Sequence, residues 1–412
     1  MEKRKKILLV CDVNNVLLML GYNLCQLGFD VKYLPDLRLN QHFRIWDAPL
    51  ADEALFRDFV YFNSDVNLNK DLIQNSTSNT VREKIEKLVT DDTVVIGSDW
   101  APAIFEFAGR KLDYFLVTGA DVNHYTILEK SNIKRYLIYL FKYLFLSKSP
   151  SRFLTFSKFK QFSLPSLQRK GILNSQILIN SDYFNWSPLL NISYTMVPYP
   201  IGATTLGKDF DFDRSRDHQL IAILEVIRKN CDYIVLNVSK NDFWKGSVIF
   251  FEGFYNYLRT TQTNAKLLIF NRGQLDLIRE KYEYVDNLIK NGSIIILPSV
   301  SQKELNTIIQ YSDVCLGAIS SKDYIYDWNT SIMQYISMFK PVITFCPFDC
   351  FSGFADIPNY PHLSARNSSE VSQSLLILED NNIRLQLSKE VEIWNNTFVN
   401  LALQKWYNLL TQ

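Results

Sequence analysis

Cysteine and histidine are scarce in this sequence, six and four in 412 residues. Cys11, Cys25, Cys231 and Cys315 lie in or beside apolar segments and read as small core residues. Cys346 and Cys350 have a three-residue spacer and no histidine beside them. That spacing does not suit a zinc site or a redox pair. A reduced, cytoplasmic setting follows as the expectation. An excess of either charge is missing too. Lys and Arg number 44 against 43 Asp and Glu, a net charge of +1, so no whole-chain field argues for nucleic acid. Long hydrophobic runs are also missing. The nearest is Tyr136–Leu146, which is short, broken by Lys142 and below the roughly 20 residues that span a bilayer. The start, MEKRKK, passes straight into the strand-length run ILLVCDV, without the features of a signal peptide. No short-period repeat or low-complexity tract stands out.

What is present is a globular composition, 47% hydrophobic and 14% aromatic. The length exceeds one ordinary core, so two domains are expected. Apolar strand-like runs alternate with helical patterns in both halves. In the first half the strands are expected at Lys6–Asp12, Phe29–Pro35, Thr93–Asp99, Asp113–Asp121, Arg152–Ser157 and Gln176–Asn180. Continuous apolar runs of this length suit buried parallel strands. Asn14 or Asn15 is placed to cap the first helix and Gly28 to end it. Met196–Asp217 holds two prolines, two glycines and a charge cluster, and reads as a linker. The second half alternates again from Cys231 to Phe345. After Phe345 comes an irregular loop, then a helix opened by Ser368 and Ser369, then a helical tail free of Gly and Pro from Ile383 to Leu410. The expected fold is α/β with two Rossmann-like doubly wound domains, at 1–200 and 201–385, and a C-terminal helix at 386–412 packing back on the first.

Polar residues gather where the strands end, which is where ligands sit in a doubly wound sheet. Tyr233–Ser239 runs into KNDFWKG, with Lys240 and Lys245 in one loop. Asn329, Thr330 and Ser331 open a later helix. Two ammonium groups and a helix N-terminus form a cradle suited to a diphosphate. The same residues equally serve as a solvated loop and an N-cap. Arg272, in FNRG at another strand end, reaches phosphate or base, or is structural. In the first half, Asp12, Asp99 and Asp121 end strands. Each is placed to bind sugar hydroxyls, to take a proton from an alcohol, or to cap the next helix. Asp211 and Asp213 spell Asp-x-Asp but lie in the linker among other charges, and no metal site is expected there.

NVSKNDFWKGSVIFFEGF and KPVITF (Lys340–Phe345) resemble motifs of retaining nucleotide-sugar glycosyltransferases of the GT-B fold. The architectural resemblance covers nearly the whole chain. It implies two domains facing a central cleft. It also implies transfer of a sugar from a nucleotide-diphosphate donor to a glycan or lipid-linked acceptor hydroxyl, without metal or cofactor, as in polysaccharide biosynthesis. On it, Lys240 and Lys245 neutralise the leaving phosphates. Gln334 falls where the family has a Glu on the donor ribose, and Tyr326 where it has the earlier Glu of Glu-x7-Glu. Both carboxylates are therefore missing. LVTGADVNH is similar to a family acceptor segment. Thr118 stands where many members have His, Asp121 matches the acidic residue, and Asn14 and His124 lie on the same acceptor side. The missing carboxylates leave two alternatives, a non-catalytic sugar- or nucleotide-binding subunit and a sugar-nucleotide epimerase of the same fold.

From Lys130 to Ser181 there is no acidic residue, while Lys134, Arg135, Lys142, Lys148, Lys158, Lys160 and others alternate with aromatics. This composition suits contact of residues 130–170 with an anionic membrane, at the inner face of which the enzyme would work. A basic face over a half-buried helix has the same composition.

Overall fold

The computed structural model describes residues 4–12, 16–34, 66–117, 156–179, 193–198, 218–319, 330–345, 356 and 359–412. Asn14, Thr118, Asp121, His124, Asn329 and the Asp211–Asp213 pair lie outside the described residues, as does most of the basic stretch. The chain divides into two compact units, Met1–Trp46 with Leu50–Pro200 and Ala402–Gln412, and Asp47–Pro49 with Ile201–Leu401.

Among the described residues, unit 1 has six strands: β1 (Lys6–Val10), β2 (Asp30–Leu34), β3 (Thr93–Gly97), β4 (Tyr114–Leu116), β5 (Gln176–Ile179) and β6 (Tyr194–Met196). All pairs are parallel, in the order β2-β1-β3-β4-β5-β6. Its helices are α1 (Val16–Gln26), α2 (Lys70–Asn75), α3 (Ser78–Glu86), α4 (Ala101–Phe107) and α5 (Phe156–Asn174). Apolar runs make these strands because helices cover the sheet, and Ile7 to Val10 are almost wholly buried. Helix α5 presents Leu164, Gln168 and Ile172 to the core at four-residue spacing, while Arg169 and Lys170 are exposed. Gly171 lets α5 lie against the backbone of Pro102, whose carbonyl oxygen is 2.0 Å from where a Cβ would sit. Gly28 ends α1 with φ at 89°.

Unit 2 has β7 (Tyr233–Leu236), β8 (Ala265–Phe270), β9 (Ile294–Leu297), β10 (Val314–Leu316), β11 (Val342–Thr344) and β12 (Leu363–Ser364). They are again parallel, in the order β12-β11-β10-β7-β8-β9. Its helices are α6 (His218–Lys229), α7 (Ser247–Thr260), α8 (Leu275–Lys281), α9 (Glu283–Lys290), α10 (Gln302–Tyr311), α11 (Thr330–Ser337), α12 (Ser368–Ile377) and most of α13 (Asn381–Thr411). Phe250, Phe251, Phe254 and Tyr257 of α7 pack with β7 and β8 into one core. The last residues of α13 belong to unit 1. There Trp406 is fully buried and donates to the Pro198 carbonyl at 2.9 Å, and Lys5 donates to the Leu410 carbonyl.

Four expectations need correction. Phe156 and Ser157, read as the end of a strand, open α5, and Arg152–Thr155 lie outside the described residues. Helical spacing of the apolar residues that follow outweighs the short aromatic run. Met196, read as linker, closes β6, which forms because Tyr194–Met196 finds β5 as a partner. Leu363–Ser364 likewise pairs with β11 inside the loop read as irregular. The cap of α12 is Asn367, not a serine. Its side chain accepts from the Glu370 amide at 2.9 Å and donates to the Glu370 carboxylate at 2.7 Å.

Asp12 starts α1. Its carboxylate accepts from the amides of Leu17 at 3.0 Å and Leu18 at 2.9 Å, and from the Tyr33 hydroxyl at 3.0 Å. Burial pushes this carboxyl up from 3.8 to about 6, against the pull of those hydrogen bonds. A folded value above the free one means the group's contribution is full at low pH and is lost as pH rises through about 6. The stability of the wild type relative to Asp12→Asn should therefore fall by roughly 2–3 kcal/mol between about pH 4 and pH 7. Urea unfolding of both proteins across that range checks it, and a pH-independent difference contradicts it. A second outcome concerns Gly246, which precedes α7 with φ at 74°. A Cβ there would lie 1.3 Å from the Ile319 carbonyl oxygen, whereas at Gly292, φ 76°, nothing lies within 4 Å. Gly292→Ala should cost about 1 kcal/mol and Gly246→Ala roughly 3 kcal/mol or more, read from denaturation midpoints side by side.

Candidate functional site

Each sheet has one place where the winding reverses, and there two adjacent strand ends part to leave a crevice. In unit 2 it lies between β7 and β10. The β7 end carries Asn237, Val238, Ser239, Lys240 and Asn241, then a turn of 3-10 helix at Phe243–Lys245. Lys240 is exposed and Lys245 half-buried. The Lys245 carbonyl accepts from the Ile319 amide at 3.1 Å, tying the lysine loop to the β10 end. Gly246 makes this close approach possible, since any side chain would strike Ile319.

The loop is held from the other side by β8. The Asn241 amide donates to the Arg272 carbonyl at 3.1 Å, and its side chain donates to the Phe270 carbonyl at 2.6 Å. Arg272 is half-buried, with its guanidinium 5.2 Å from the Phe270 ring centroid. Burial lowers its pKa. Gly273 packs on Asp242, whose carboxylate oxygen would be 2.5 Å from a Cβ there.

Helix α11 closes the third side. The Ser239 hydroxyl bonds the Ser331 hydroxyl at 3.3 Å. One turn on, the buried Tyr335 hydroxyl accepts from the Val238 amide at 2.9 Å. Thr330 opens α11, although its side chain lies outside the described residues, and Gln334 is half-buried on the same helix. Lys240, Lys245, Arg272 and Ser331 are thus gathered at the carboxyl ends of three neighbouring strands. Lys340 of KPVITF has a different task. Its ammonium donates to the Gln310 and Ser312 carbonyls, both at 2.8 Å, and so caps α10. Ser301 and Glu304 form the capping box of the same helix.

The structure adds residues that the sequence reading passed over. Asn237, Asn241 and Ser247 are wholly buried around the loop. Among the described residues, Asn237 Nδ2, Asn241 Oδ1 and Ser247 Oγ find no hydrogen-bond partner. The signal available was their density, four polar residues in the seven from Asn237 to Phe243 besides Lys240.

In unit 1 the reversal lies between β1 and β3. Asp12 and Asp99 follow these two strands. The Ser98 hydroxyl donates to the Cys11 carbonyl at 2.5 Å and joins the parted ends. Cys11 and Asp99 both have positive φ, 58° and 49°. Such backbone strain clusters at working sites. Gln168 of α5 holds Asp99 in place, donating to its carbonyl at 2.6 Å and accepting from the Ala103 amide at 3.0 Å. Asp12 and Asp99 therefore share one crevice, but both Asp12 oxygens are engaged at the start of α1. Among the described residues no three His, Cys, Asp or Glu side chains converge as metal ligands. No described helix is long and apolar enough to cross a membrane.

No family model and no curated protein matches the sequence. Solved structures match over nearly the full length. A glycosyltransferase from Rickettsia africae ESF-5 is 16% identical, with a TM-score of 0.56, over 100% of this chain and 98% of that one. The Anabaena protein HepE, in complex with UDP and glucose, is 11% identical, with a TM-score of 0.58 over 99% and 100%. A UDP-forming trehalose-phosphate synthase from Burkholderia xenovorans is 11% identical, with a TM-score of 0.59 over 100% and 99%. Likeness at these identities is a likeness of fold, and the chain has the two-sheet, two-unit α/β architecture of the GT-B fold.

Proposed function

We propose that this protein is a glycosyltransferase. It moves a sugar from a nucleoside-diphosphate donor to the hydroxyl of a glycan or lipid-linked acceptor. The observation that carries the reading is the placement of Lys240 and Lys245 after β7, Arg272 after β8 and Ser331, bonded to Ser239, at the start of α11, all at the carboxyl ends of neighbouring strands. That similarly folded proteins are crystallised with UDP, with UDP-glucose or as UDP-forming synthases supports it.

In the reaction the bond between the anomeric carbon and the phosphate oxygen breaks, and the acceptor oxygen bonds that carbon. Negative charge grows on the leaving diphosphate. Lys240 and Lys245 supply fixed positive charge there, which in a metal-independent mechanism replaces a divalent cation. Asn329, Thr330 and Ser331 offer hydroxyl and amide donors at the α11 N-terminus. Gln334 takes the ribose hydroxyls as donor and acceptor. The acceptor binds unit 1 near Asn14, Asp99, Thr118, Asp121 and His124. Its proton passes to the leaving phosphate oxygen, or to Asp99 or Asp121 as base. Asp12 serves by holding α1. The acid-free stretch favours a lipid-linked acceptor at the inner face of an anionic membrane.

A second reading rests on one observation, the Gln334 and Tyr326 pair in place of two carboxylates. On it the chain binds the donor without turning it over. Lys245→Ala tests the first reading. It should lower transfer from nucleotide-sugars by roughly 10²- to 10³-fold and weaken nucleoside-diphosphate binding, with the unfolding midpoint unchanged. Full activity in the folded variant removes the phosphate assignment. Tight binding by wild type without turnover in any acceptor screen selects the second reading.

A further inference from the structure

The pairing of β10 with β7 stops at Val314↔Val235 and Cys315↔Leu236. In a parallel ladder of this register, the next rung would run from the Val238 amide to the Leu316 carbonyl. That rung is not made directly. The Tyr335 hydroxyl stands in it, accepting from the Val238 amide at 2.9 Å and donating to the Leu316 carbonyl at 3.4 Å. One oxygen atom thus holds the strand ends apart where the crevice begins. Tyr335 is fully buried, so no water competes for either bond. Four residues earlier on the same face of α11, Ser331 meets Ser239. The pair fixes α11 to the β7 end at two heights. Lys240 follows Ser239 directly.

We propose that Tyr335 is a positioning residue for diphosphate binding. It sets the width of the crevice between β7 and β10 and the placement of the α11 N-terminus over the lysine loop. Without the hydroxyl, the strand ends either close into the direct rung, narrowing the crevice, or leave two buried peptide groups unpaired. Both outcomes displace the donors that face the phosphates and leave the nucleoside contacts alone. The proposal rests on the donor-binding reading above.

The test compares Tyr335→Phe with wild type by calorimetric titration of UDP, GDP and ADP and of the matching nucleosides. Tyr257→Phe serves as control. That tyrosine is also buried in unit 2, but its hydroxyl bonds Glu379. Tyr335→Phe should weaken the bound nucleoside diphosphate at least tenfold and leave the nucleoside within twofold. Tyr257→Phe should lose stability and keep both affinities. Unchanged diphosphate affinity in Tyr335→Phe, or equal loss for diphosphate and nucleoside, overturns the positioning role while the donor reading stands. Wild type that binds none of the three diphosphates sinks both. If Tyr335→Phe does not fold, 3-fluorotyrosine placed at 335 keeps the hydroxyl but makes it a weaker acceptor. A two- to threefold loss of diphosphate affinity is then expected, and no change overturns the proposal.

Discussion

A parallel sheet that reverses its winding must leave peptide groups facing each other across a gap too wide for a ladder bond, and burial forbids leaving them bare. This constraint organises both units. In unit 1 the Ser98 hydroxyl spans the gap to the Cys11 carbonyl. In unit 2 the Tyr335 hydroxyl spans it between Val238 and Leu316. Each hydroxyl is neutral and needs no counter-charge. The crevice above can then hold charge of its own without competition from its floor.

The walls obey the same economy. Gly246 meets Ile319 backbone to backbone, the Lys245 carbonyl accepts from the Ile319 amide, and Asn241 ties the loop to the β8 end, so main-chain groups and one amide side chain fasten the lysine loop. In unit 1, Gln168 fixes the strained Asp99 through its carbonyl and leaves the carboxylate out of that bond. Side chains that hold the scaffold are thus mostly distinct from those proposed to meet ligand. Asp12 is the exception, a strand-end carboxylate given over to starting a helix.

How much of this was legible in the sequence depended on the range of the interaction. Buried parallel strands such as Tyr233–Leu236 and Ala265–Phe270 announce themselves as apolar runs, and the lysine loop follows directly from one of them. Short strands such as β6 and β12 exist only because a neighbour offers a ladder, so no local pattern marks them. Tyr335 was illegible for a similar reason. An aromatic in an apolar helix reads as core, and its role depends on a register gap between strands some 80 residues apart in sequence. Lys340 stands in a recognisable motif, but the sequence gives no sign that its ammonium binds the Gln310 and Ser312 carbonyls at the end of α10.

Trp406 and Pro198 are 208 positions apart, and their bond joins the late turns of α13 to the early sheet. Translation proceeds from the amino end, so the described strands of unit 1 leave the ribosome well before the helix whose Tyr407 packs on Phe29 and whose Trp406 is buried. The first-made unit therefore waits, with part of its apolar surface uncovered, until the other has been synthesised. Co-translational protection of that surface is a burden this architecture places on the cell.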